Sequence, residues 1–170
     1  AGKEQTEPEP VLELKGEWMV RFNPALGGPE APVKFAKLTD WSKSDKDSIR
    51  FYSGTATYTK TFVWSSEPEG RKAVWLDLGT VENLAEVMLN GKHCGVCWTP
   101  PFRVRIDHAL IKGENKLEIA VTNTWHNRLI GDHDLPDQER ITRTTAPYRL
   151  EGRELLPAGL PGPVTVKAEP

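Results

Sequence analysis

The sequence has little cysteine, no long apolar run and no basic excess, and each shortage removes a class of protein. Only two cysteines occur in 170 residues, Cys94 and Cys97. They are too few for a disulfide framework, and no second pair completes a zinc site. The flanks read as strand, not as the helix start of a redox C-x-x-C pair. Residues three apart on a strand face opposite ways, so a mutual bond is not expected. Two buried or half-buried free thiols are expected instead. No apolar run approaches the ~20 residues of a transmembrane helix. Lys and Arg total 22 against 24 Asp and Glu, a net charge of -2, with no basic cluster, which argues against a nucleic-acid surface. G-x-S-x-G, H-E-x-x-H and a phosphate-cradling glycine loop are missing. No stretch of ten or more residues keeps helical period. Asp107 to Lys112 is expected to form one turn, stopped by Gly113.

What is present is period two, nearly everywhere. Ala56, Tyr58 and Phe62 alternate with Thr55, Thr57, Thr59 and Thr61. Val74, Leu76 and Leu78 form an inward set, as do Ala85, Val87 and Leu89. Asn90-Gly91 follows at once and signals a tight hairpin. Further strands carry Cys94 to Trp98, Val104 with Ile106, Leu117 with Ile119 and Val121, Trp18 with Val20 and Phe22, and Val164 with Val166. Many short strands between 14 Gly and 14 Pro predict an all-β sandwich. Residues 11–170 read as one domain. Ala1 to Pro10 is polar, acidic and Pro-containing and reads as a linker. An N-terminal Ala after no signal peptide fits a mature secreted chain or a piece of a longer one. Two long loops, Asn23 to Thr39 and Trp125 to Leu160, are candidates for function or an interface.

The aromatics point to chemistry. Of the six tryptophans, Trp18 reads as core, Trp64 ends a strand, and Trp75 faces the other side of its sheet. Trp41, Trp98 and Trp125 lie in or beside loops. Sugar C–H faces pack on such rings, and sugar hydroxyls seek Asp, Asn and Arg. The alternative is that each loop ring plugs one end of the sandwich. The densest polar cluster is the run from Trp125 through His126, Asn127 and Arg128 to Asp132, His133 and Asp134. Candidate ligand-binding residues are therefore Trp98, Trp125, Asn127, Arg128, Asp132 and Asp134. For Arg128 an internal Arg–Asp pair that pins the loop stands as the alternative. Asp40, Asp45 and Asp47 lack the Gly and terminal Glu of a calcium loop, so no cofactor is expected and structural calcium has no clear motif behind it. A glycosidase needs two carboxylates facing each other across a sugar. No such pair is recognisable among the acidic residues.

The motifs together carry a resemblance. Leu76-Asp77-Leu78-Gly79, Ala85-Glu86-Val87, Leu89-Asn90-Gly91-Lys92 with Gly95, Pro101-Phe102 and Gly113-Glu114-Asn115 resemble the sugar-binding domain of family 2 glycoside hydrolases. Phe51 to Ala56 and Asn127 to Asp132 are similar to the matching domain of large bacterial α-L-rhamnosidase-type enzymes of family 106. The resemblance covers Trp18 to Val166 and implies a galactose-binding-like jelly roll. It implies sugar-facing residues near Trp98 to Phe102 and at Asp132 or Asp134. It also implies that the catalytic glutamates belong to a separate barrel domain. The expected role is a non-catalytic carbohydrate-binding or accessory domain of a bacterial secreted or periplasmic glycoside hydrolase. Its partners are then a carbohydrate and the catalytic domain, with neither nucleic acid nor membrane. The rivals are a brace for the barrel that binds no sugar, a small hydrolase using Asp132, Asp134 or Glu82, and an adhesion module.

Overall fold

A computed structural model describes residues 7–65, 73–145 and 152–170. The strands are β1 (Glu9–Glu13), β2 (Trp18–Arg21), β3 (Val33–Phe35), β4 (Thr55–Trp64), β5 (Val74–Asp77) and β6 (Thr80–Glu82). They continue as β7 (Leu84–Leu89), β8 (Lys92–Cys97), β9 (Arg103–Arg105), β10 (Gly113–Thr122), β11 (Gly159–Gly162) and β12 (Thr165–Ala168). Two short α-helices, α1 (Asp47–Arg50) and α2 (His126–Asp132), and two 3-10 turns, Pro24–Leu26 and Trp41–Lys43, complete the described elements. One sheet has the order β1-β12-β5-β9, the other β3-β2-β4-β10-β7-β8, and β11 pairs with β6. All pairings are antiparallel.

The alternation explains the layers. Val20, Ala56, Tyr58, Val87, Leu89, Leu117, Ile119 and Val121 from the larger sheet are buried. Val74, Leu76, Val104 and Val166 from the smaller one join them in a single apolar cluster. This is the expected sandwich. Asn90 (φ 51°) and Gly91 (φ 75°) form the two-residue turn between β7 and β8, a backbone that suits Asn and Gly. In β8 the register shifts so that Cys94 is the extra, bulged residue. The bulge resets the alternation and turns both Cys94 and Cys97 toward the core, where they stay free thiols. Burial pushes the Cys97 thiol up to about 11 and also raises Cys94.

Several readings change. Residues 1–6 of the supposed linker lie outside the described residues, but Glu9 and Pro10 already belong to β1, paired with Ala168 and Lys167. The Trp125–Leu160 loop contains α2 and the start of β11. The Asn23–Thr39 loop contains β3. Trp41 is fully buried and packs on Phe22, Tyr52 and Tyr58. Its indole N–H donates to the Tyr58 hydroxyl at 2.6 Å, so it plugs the sandwich as the alternative reading had it. The Asp107 turn forms as expected. Among the described residues no helix is long and apolar enough to cross a membrane.

Candidate functional site

Strand register decides which loops meet. Cys97 at the end of β8 pairs with Ala85 near the start of β7. Leu84 pairs with Thr122 at the end of β10, and Thr122 pairs with Thr55 at the start of β4. Trp98, which follows Cys97, and Trp125, which follows Thr122, therefore leave from the same end of the large sheet. They leave two strand spacings apart, roughly 10 Å, because β7 lies between β8 and β10.

Both rings are open to solvent. Trp98 is 74% exposed and Trp125 51%. Leu84 and Leu156 are exposed near them. Leu84 is out of phase with inward Ala85, so the alternation already marked it as outward. Leu156 carried no such signal. Asp134 is exposed too, 3.9 Å from His133.

The other candidates turn inward. Asn127, Arg128 and Asp132 are buried within α2. Arg128 Nη1 lies 3.3 Å from Asp132 Oδ1, and its Nε donates to the Phe51 carbonyl. Asp132 Oδ2 accepts from the Ile141 and Thr142 N–H groups and from the Thr142 hydroxyl. Asn127 exchanges two hydrogen bonds with the backbone of Leu156. These side chains spend their polar atoms on the protein itself. The Arg–Asp pair pins the loop, as the alternative for Arg128 had it. Gly131 permits α2 to dock, since a Cβ there would stand 2.6 Å from the Phe51 ring.

Three further features frame this end. Asn123 clamps the start of β4: its amide oxygen accepts from the Gly54 N–H and its nitrogen donates to the Tyr52 carbonyl. Asp40 caps the short turn at Trp41 and accepts from the Ala158 N–H. Glu82, across from Gly159, is partly buried, and burial followed by the charge of Asp40 raises its carboxyl above the ordinary range. Asp47 pairs with Arg50. No group of three or more His, Cys, Asp or Glu among the described residues is placed to hold a metal ion. The end thus carries two exposed indoles, Trp98 and Trp125, and an exposed carboxylate, Asp134, on the segment after α2.

The comparisons with known proteins agree with one another. A family model described as "Glycosyl hydrolase 2 galactose-binding domain-like" matches residues 36–155. A Formosa agariphila protein whose name proposes a beta-glucuronidase is 40% identical over 183 aligned positions, covering 94% of this chain and 16% of that protein. The structure of a rhamnosidase from Novosphingobium sp. PP1Y superposes with a TM-score of 0.92 at 38% identity, covering 99% of this chain and 16% of that one. A Ruminococcus gnavus beta-glucuronidase shares the fold, with a TM-score of 0.65 at 21% identity over 99% of this chain and 31% of its own. This chain therefore spans about a sixth of the length of the first two relatives.

Proposed function

Because the chain belongs to the galactose-binding domain-like family of the family 2 glycosyl hydrolases, we propose that it is a sugar-binding accessory domain of a larger glycoside hydrolase. The observation that carries this reading is the placement of two exposed tryptophans, Trp98 and Trp125, at one end of the sandwich. An indole has only two side-chain torsions, so an exposed one anchored just beyond a strand end loses little freedom on stacking against a sugar ring. The partners are then a carbohydrate and the catalytic part of the same enzyme, in the secreted or periplasmic space. Bond cleavage falls to that catalytic part.

The brace reading is favoured by one specific observation. Asn127, Arg128 and Asp132 serve the fold, which leaves Trp98, Trp125 and Asp134 to meet a ligand. Affinity electrophoresis of the chain in polysaccharide gels, with a glycan array, separates the two. We expect retardation by at least one glycan, lost in Trp98→Ala and Trp125→Ala while thermal melts stay within a degree or two of the parent. Loss of a stacking ring should cost on the order of 2 kcal/mol of binding. A parent chain that binds no glycan would leave the brace. Turnover of aryl glycosides by the chain alone, abolished by one Asp or Glu change, would establish the hydrolase instead.

A further inference from the structure

The bonds at the Trp125 end close a circuit. Glu82 pairs with Gly159. Upstream of Gly159, Leu156 is held by Asn127. The chain runs back from Asn127 through Trp125 to Thr122. The Thr122 carbonyl accepts from the Asn83 N–H, and Asn83 adjoins Glu82. These links run the backbones of Glu82, Leu156 and Trp125 around one end of the fold, where Trp125 is exposed and Glu82 is partly buried.

Two carboxylates stand together at the Gly159 side of this circuit. Asp40 bridges to Gly159 and binds the Ala158 N–H, so it stands behind Glu82. Asp40 Oδ1 is already engaged by Ser42 and Ala158. The Glu82 carboxylate, by contrast, makes no hydrogen bond or ion pair with any described residue. Within the circuit the other titratable side chain is His126, whose Nε2 lies 2.9 Å from the Glu154 carbonyl. A half-buried acceptor without a partner gains by meeting a hydroxyl donor. The same acceptor, doubled by Asp40, repels a second carboxylate.

We propose that Glu82 is a specificity residue: it accepts a hydroxyl from a neutral sugar stacked on Trp125 and, with Asp40, excludes uronic acids there. This rests on the sugar-binding reading above. Sugars that differ only at C6 isolate the effect. The probes are the methyl glucoside and methyl galactoside, each against its own uronate, titrated at neutral pH and followed through the tryptophan indole N–H signals.

The neutral glycosides are expected to shift the Trp125 signal and to bind about tenfold or more tightly than the uronates. Glu82→Gln keeps the shape and removes the charge. It should bring each uronate to within about twofold of its neutral partner, whereas a purely structural Glu82 would leave that ratio alone. Trp125→Ala should abolish both. Equal binding of uronate and neutral sugar by the parent, or an unchanged ratio in Glu82→Gln, overturns the specificity role and leaves the sugar site standing. Failure of all four probes to bind overturns the specificity role, while the sugar site stands or falls on the glycan array.

Discussion

Asn115 is fully buried, and its amide bonds in four directions. The oxygen accepts from the Ile111 N–H and from Asn90 Nδ2. The nitrogen donates to the carbonyls of Ile111 and Gly113. Asn90 in turn donates to the Ala109 carbonyl and accepts from the Lys116 N–H. Two family motifs, Asn90-Gly91 and Gly113-Glu114-Asn115, thus meet each other at the end of the sandwich opposite Trp98 and Trp125. Their work is to tie the β7–β8 hairpin to the start of β10. Asn115→Ala would leave buried donors and acceptors without partners. It should cost about 1–3 kcal/mol in denaturant unfolding, or more if several groups are orphaned. A loss below about 0.5 kcal/mol would mean water replaces the amide. The hairpin at Asn90 was legible because it is local. The Asn90–Asn115 bond was not, because it joins residues 25 positions apart.

Helix α2 shows why an element can escape a hydrophobic pattern. Its buried side chains are Asn127, Arg128 and Asp132, and its apolar Leu129 and Ile130 are less deeply placed. A search for apolar residues at helical spacing finds nothing there. The signal that did exist was the i,i+4 placement of Arg128 and Asp132. The pair is almost wholly desolvated, with side chains 8% and 3% exposed. Removing one partner of such a pair strands the other charge. Arg128→Ala or Asp132→Ala should therefore cost about 3–5 kcal/mol. Because Asp132 also holds Ile141 and Thr142, limited proteolysis should cut the 133–142 segment faster in Asp132→Ala than in the parent. Equal cleavage rates would show that the segment is held some other way. The short strands β1, β3, β6 and β11 were missed for a simpler reason. They offer few alternating apolar residues, and β11 is Gly-Leu-Pro-Gly.

At the scale of the whole molecule, one core joins both sheets. Ile119 sits at its centre, fully buried, paired with Tyr58 on one side and Val87 on the other. Ile119→Ala should destabilise by about 2–5 kcal/mol. The loss should appear as one transition, with tryptophan fluorescence and far-UV circular dichroism coinciding. Separate transitions for the two probes would mean the sheets melt apart. The layers were legible from alternation at residues such as Val74, Leu76, Leu117 and Ile119. The common end of Trp98 and Trp125 followed from the sequence only on the condition that their strands are neighbours; β7 separates those strands, and both rings still leave the same end. The burial of Trp41 was hidden, because its partner Tyr58 lies in a different strand. The pairing of β1 with β12 carries one more consequence. Glu9 faces Ala168 across a ladder rung, so the two ends of the fold stand roughly 5 Å apart. Sequence on either side, whatever its length, departs from a single spot. Lifted out of a host, the unit would leave a gap that two or three residues bridge. Set into a surface loop, it would ask the host to part by only one strand's width, as a cassette does.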